Sequence, residues 1–420
     1  MPGRKNWDWE TGEKLVTDIN GVKGSYNWIE EPYASPDGEK IASIVNLDVD
    51  KFGVCVNGGL WENTFDKIWH LRYSPDSRLT AIVSEMEEWS IAVDGNAWDN
   101  KFSYVWNTMF SDGGLNIAAA FQQDGEYGIV VNDVPWENLF KNMNCMCLSP
   151  YGPYSSAAVQ VADFGEGEIF KFQEGAYTIA LNGIPWDTRF VNVWNCAFSS
   201  DGAIVAAEVR LDLYTYTIAV NGVPWNNTFA CVWQPVIHPM SGKVIAPVRV
   251  SGKWSIAEDG DIIWDSRFLQ VWQQLISPDG NKLAAIVSPT YGKWTLAVDG
   301  AWWNTQFGDM LTDAVFSPDS SRLAAVGKTD GKFTIIVDDS PWDSKFDMAW
   351  KPVFSPDSRN VAAKVEKDGK YFIVINGKQI HKNCDDAWEP VFSPDSQKIL
   401  VKTIEDGKYY RRIISLSEIK

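Results

Sequence analysis

Two cysteines one residue apart, Cys145 and Cys147 in "NMNCMCLSP", are the nearest thing to a redox or metal motif in this 420-residue chain. Residues two apart on a strand share a face, so both thiols would point the same way. A metal site needs further thiolate or imidazole ligands, and neither His nor Cys lies nearby in sequence. The pair therefore reads as two reduced thiols packed in an apolar strand, and Cys55, Cys196, Cys231 and Cys384 show no repeated spacing that would frame disulfides. Haem attachment through C-x-x-C-H and clustered iron–sulfur spacings are missing from the sequence. Only three histidines occur, His70, His238 and His381, and no G-x-S-x-G accompanies them. The acids Asp48 and Asp50 in "NLDVDKFG" lack the glycine and terminal glutamate of a calcium loop. No catalytic residue, cofactor or metal is expected, and the chain reads as a non-enzyme.

The residues that stand out are instead the tryptophans, 22 of them, several times ordinary usage. They fall at fixed phase. Trp61, Trp98, Trp136, Trp186, Trp225, Trp264, Trp303 and Trp342 form one register, Trp69, Trp106, Trp194, Trp233, Trp272, Trp350 and Trp388 a second, and Trp89, Trp254 and Trp294 a sparser third. A ligand needs one site, whereas packing between repeated units needs a bulky residue at every interface. All three registers are therefore expected to be packing, each ring burying on the order of 200 Å².

The elements that place these rings repeat with them. A turn motif stands as "SPDG" at Ser35 and Ser277, "SPDS" at Ser74, Ser317, Ser355 and Ser393, and in variant form at Ser111, Ser149, Ser199 and His238. Successive anchors recur at a nearly constant spacing of about 40 residues, a period typical of propellers and solenoids. The interval between Ser149 and Ser199 is the one long exception. Within each period, short Val-, Ile-, Ala- and Trp-rich runs alternate with Asp-Gly, Asn-Gly and Pro-Asp-Gly turns, which is strand and hairpin chemistry. Pro presets φ, Asp bonds its own backbone and Gly accepts positive φ, so the Asp residues belong to turns. A four-stranded unit repeated ten times predicts an all-β β-propeller, one repeat-built domain over residues 1–420. One ten-bladed ring is preferred and two five-bladed rings are the alternative. The last repeat ends before a fourth strand while the N-terminus supplies "EKLVTDING", so the two ends are expected to share a sheet.

A formal charge of −18 and a pI near 4.6 argue against nucleic acid and anionic lipid as partners. No stretch approaches the length of apolar sequence that spans a bilayer, and the N-terminus has no apolar signal core. A cytoplasmic protein without direct membrane insertion is expected.

With these motifs in view, the chain resembles the TolB-type, WD-repeat-like β-propellers, through "KPVFSPDSRNVAA" from Lys351, "EPVFSPDSQKIL" from Glu389 and "EPYASPDGEKIA" from Glu31. The resemblance covers nearly the whole chain and implies the fold. In size, tryptophan content and repeat style it is also similar to the tryptophan-rich subunits of the Tmc transmembrane redox complexes of sulfate-reducing bacteria. That resemblance implies a role as an interaction subunit of a membrane-associated electron-transfer complex, peripheral to the inner membrane through redox-complex partners. The other class of function is a carbohydrate-binding or carbohydrate-active propeller with Trp platforms, for which Trp7, Trp9 and Trp302 break the registers.

The long period is the irregular one. Its extra residues, "ADFGEGEIFKFQEGA", fall between the second and third strands of a unit and alternate acids with apolar side chains. Asp163, Phe164, Glu166, Glu168, Ile169, Phe170 and Phe172 are the candidate contact residues for a protein partner, with a folded-back hairpin extension as the alternative reading.

Overall fold

The computed structural model describes residues 6–165, 167–265 and 268–419. It is all-β: ten antiparallel sheets of four strands each, the blades of a ten-bladed β-propeller, with helix limited to short turns. The chain divides into two compact units, residues 1–73 with 275–420, and residues 74–274.

Each blade is built in the same way. The second and third strands form the buried hairpin, as in Val361–Lys367 and Lys370–Ile375. Asp368 and Gly369 turn it, both with positive φ, the pair of left-handed residues that a two-residue turn of the right twist requires. Apolar residues on successive positions suit strands covered on both faces. The core accordingly divides into clusters shared by consecutive blades, for example Ala324, Val326 and Ile335 with Val361, Val365 and Val374.

The fourth strand is shorter than the sequence suggests. It pairs over two residues, Val134–Pro135 for instance; the Trp136 N–H then donates to the Ile129 carbonyl at 2.9 Å, and after a three-residue excursion Phe140 bridges Tyr127. This is the local meaning of W-x-x-x-F. The Trp of the first register is carried into the cluster shared with the next blade, as Trp136 and Trp225 show.

The Ser-Pro-Asp turns close on themselves. Ser277 Oγ donates to Asp279 Oδ1 at 2.6 Å, and the same carboxylate oxygen accepts the Asn281 N–H at 3.0 Å. His238 does this work in the sixth blade, its Nδ1 accepting the N–H groups of Met240 and Ser241 at 3.2 and 3.1 Å.

Strand Gly12–Asp18 pairs antiparallel with Lys408–Ser415, from Gly12 opposite Ile413 to Asp18 opposite Lys408, and supplies the fourth strand of the tenth blade. Buried Arg412 ties the sheet together, bonding Glu13 and Glu405 at 2.6 Å each. Trp7 and Trp9 stack on each other with centroids 6.0 Å apart and pack on Val391, Leu400 and Ile413, so these two rings are structural.

Candidate functional site

Two surface features depart from what blade packing requires, and both can be followed within the unit of residues 74–274. The first is the insertion between strands Ser155–Gln160 and Tyr177–Leu181 of the fourth blade. It is a short helix, Ile169–Gln173, rather than a hairpin extension. Phe164 and Phe172 meet edge to face at 5.6 Å and form its small internal core. Ile169 and Phe170 point outward, 62% and 83% exposed.

Two of the candidate acids are already partnered. Asp163 pairs with Lys141 at 2.8 Å. Glu168 pairs with Lys171 at 2.8 Å and accepts the Gly165 N–H at 2.7 Å, which holds its carboxyl below the usual range. Both pairs are exposed and add little stability. Glu166 lies outside the described residues.

At the same end of the next blade, the loop 211–215 presents Leu213 and Tyr214. Asp212 accepts the Tyr214 N–H at 2.9 Å, and the Arg210 guanidinium donates to the carbonyls of Asp212 and Leu213 at 2.9 and 2.7 Å. Internal bonds thus fix the loop with its apolar side chains outward, which lowers the ordering cost of a contact.

The second feature is the first strand of every blade, and here the packing reading of the second tryptophan register needs correction at three of its seven positions. Each first strand is interrupted just after the register position. Six blades have a positive-φ residue there, His70, Asn107, Cys145, Asn195, Gln273 and Asp313. The other four have a proline one residue later, Pro32, Pro235, Pro352 and Pro390. A left-handed residue makes a bulge and a proline removes a ladder donor, so both release the chain from the sheet at the same point.

Three of the released rings are exposed rather than wedged between blades, whereas Trp106 is half-buried and packs on the cluster shared by the third and fourth blades. Trp69, Trp233 and Trp272 are 46%, 43% and 42% exposed. Trp233 lies on Trp254 with centroids 5.3 Å apart and 11° between planes; Trp194 lies on Tyr216 at 6.1 Å. Within residues 74–274 every tryptophan of this register is followed by an exposed amide: Asn107, Asn195, Gln234 and Gln273.

No family model matches the chain, and no curated protein does. Solved structures with a similar fold include "the eukaryotic initiation factor", at 17% identity over 76% of this chain and 87% of that one with a TM-score of 0.48. The Dos1 propeller follows at 13% identity, 98% and 95% coverage and 0.39. The Cps50 (Swd1) β-propeller domain from Myceliophteria thermophila stands at 11% identity, 64% and 97% coverage and 0.30. The propeller assignment rests on the blades themselves.

One buried group breaks the blade pattern beside the amides. At the second-strand position that holds Ala120 and Ala158, seven blades are apolar and the others carry Glu208, Lys364 or Lys402. Lys364 lies 4.5 Å from the centroids of Trp350 and Tyr371 and pairs with Asp386 at 3.4 Å. Glu208 accepts a hydrogen bond from Asn195 Nδ2 at 3.2 Å, and burial pushes its carboxyl up to about 7.

Of the other groups named from sequence, Trp302 is 49% exposed and the histidines belong to the blade framework. His70 is a bulge residue, and His381 sits with Nε2 3.6 Å from Glu405 Oε1 in the tenth-blade charge cluster. Among the described residues no group of three or more His, Cys, Asp or Glu is arranged to hold a metal. The short helix, the bulges and Glu208 had no signal in the periodicity, although the amides after Trp106, Trp194, Trp233 and Trp272 were there to be read.

Proposed function

We propose that the protein is a non-enzymatic interaction subunit that docks a protein partner through the fourth-blade insertion and the neighbouring 211–215 loop. The observation that carries this reading is the exposed set Ile169, Phe170, Leu213 and Tyr214, held outward on two internally bonded loops. Apolar side chains presented this way on a rigid scaffold suit a partner that covers them. Assembly into a membrane-associated electron-transfer complex, from the cytoplasmic side and through partners, is the finer part of the proposal. Its support is the likeness in size, tryptophan content and repeat style to the tryptophan-rich redox-complex subunits. The test is co-purification from the native membrane fraction. The Ile169→Ser, Phe170→Ser double variant should keep its melting temperature and lose the proteins that the unaltered chain retains. Full retention would place the contact elsewhere.

The four Trp–amide pairs favour a second reading, a neutral polyhydroxyl ligand such as an oligosaccharide, because rings stack on sugar C–H faces while amides bond hydroxyls. Tryptophan fluorescence titrated with an oligosaccharide panel tests it, with Asn107→Ala and Gln273→Ala weakening any response. An unchanged spectrum across the panel would remove this reading.

A further inference from the structure

The closely spaced Cys145 and Cys147 are separated by the bulge, and each acquires different neighbours. Positive φ at Cys145 shifts the register between Asn144 and Cys147, so Cys147 comes to lie opposite Ser156. Directly paired residues share a face of the sheet. Ser156 Oγ in turn lies 3.3 Å from the Sγ of Cys196, on strand Asn192–Phe198 of the fifth blade. Cys196 Sγ also donates to the Cys145 carbonyl at 3.2 Å, and Cys147 packs on the same cluster as Cys196. Both sulfurs belong to one apolar cluster between the fourth and fifth blades.

Their environments differ. Cys147 is half-buried, and the neighbouring Cys196 side chain holds its thiol below the ordinary value. Cys196 is buried, and the Cys147 side chain together with burial pushes its thiol well above. A partly accessible sulfur held below its ordinary value beside a buried thiol is the arrangement of an attacking and a resolving thiol. Cys145 is not equivalent, because burial raises its thiol.

We propose that Cys147 and Cys196 are a peroxide-oxidisable dithiol that closes to a disulfide between the fourth and fifth blades. The Cys147 thiolate attacks one oxygen of hydrogen peroxide; the S–O bond forms, the O–O bond breaks, and the departing hydroxide takes up a proton as water. Cys196 then gives up its proton and attacks the sulfenic sulfur; the S–S bond forms, the S–O bond breaks, and a second water leaves. Two electrons pass from the thiols to the peroxide, and a dithiol reductant reverses the reaction. The bond staples the two blades that carry the insertion and the 211–215 loop.

The experiment treats the full chain with hydrogen peroxide under native conditions, blocks remaining thiols and maps cysteines by mass spectrometry without reduction. One cross-linked species joining the Cys147 and Cys196 peptides, lighter by two hydrogens and restored by dithiothreitol, is expected. Cys147 should react ~10-fold faster than the buried Cys55 and Cys384. Cys196→Ser should leave Cys147 as a sulfenic acid trapped by dimedone, while Cys147→Ser should leave Cys196 a thiol. Should either variant fail to fold, the wild-type cross-link and alkylation rates decide alone. A Cys145–Cys147 bond, an intermolecular bond, or a Cys147 no faster than Cys55 would overturn the proposal.

Discussion

Glu208 shows how one residue can make stability depend on pH. Its carboxyl, raised to about 7, binds a proton in the folded chain that the unfolded chain has released above the ordinary carboxylate range. Its contribution is therefore fully present at acid pH and declines as pH rises from about 4.5 to about 7, by up to ~1.4 kcal/mol per unit. Glu208→Gln should remove that slope. Urea unfolding of both proteins at pH 5, 6 and 7 should give a difference that grows in favour of the variant, and parallel curves would refute it. Tryptophan polarity offers a second contrast. Trp136 Nε1 donates to Ser155 Oγ at 2.9 Å, whereas Trp225 Nε1 is buried without a hydrogen-bond partner, Val244 standing where the fourth blade has Ser155. Trp136→Phe should cost ~1 to 2 kcal/mol more than Trp225→Phe in denaturant unfolding, because it orphans a buried hydroxyl while the other change removes an orphan N–H.

Among the elements, the Ser-Pro-Asp turns explain why some end in Ser where Gly is easier. Ser320, Ser358 and Ser396 all have positive φ in the left-handed region, a costly conformation for a residue with a Cβ. Each hydroxyl accepts the Asp N–H of the preceding blade's turn, Asp279 to Ser320 at 3.0 Å, Asp319 to Ser358 at 3.1 Å and Asp357 to Ser396 at 2.9 Å. Strain and bond oppose one another. Ser358→Gly loses both and should leave the unfolding midpoint nearly unchanged, while Ser358→Ala keeps the strain, loses the bond and should cost ~1 to 2 kcal/mol. Equal effects of the two variants would show that the hydrogen bond carries no weight. The insertion belongs to the opposite category of element. Its helix has no fully buried residue, so replacing residues 163–174 by a short turn should leave the melting temperature nearly unchanged while abolishing partner retention.

For the molecule as a whole, the strand borrowed from the N-terminus decides whether the tenth blade has an open edge. Buried Arg412 bonds Glu13 from that strand and Glu405 from its own blade, and Arg411 bonds Glu39 at 2.9 Å. Removing one partner of a buried charge pair leaves the others uncompensated. Arg412→Ala should therefore cost ~3 to 5 kcal/mol and, by loosening Gly12–Asp18, expose the edge of Lys408–Ser415 to pairing with another chain. Urea unfolding and size-exclusion chromatography measure the two effects; a monomer of unchanged stability would count against the latch.

The all-β class, the ten four-stranded units, the roles of the Ser-Pro-Asp turns and the packing of the first tryptophan register can all be read from residue order. These follow from local chemistry repeated at a fixed period: a turn residue or an apolar run means the same thing in every blade. The same reading misplaced Trp69, Trp233 and Trp272, whose strands leave the ladder just beyond the ring, through a positive φ at His70 and Gln273 or a proline at Pro235. It located the insertion between the right strands but not its one-turn helix, which is shorter than any periodicity can report. Folding in three dimensions was needed to set Cys147 against Cys196, distant in sequence, and to bury Glu208 beside Asn195. Those contacts form between neighbouring strands and blades, where register and bulge, rather than residue type, decide which side chains meet.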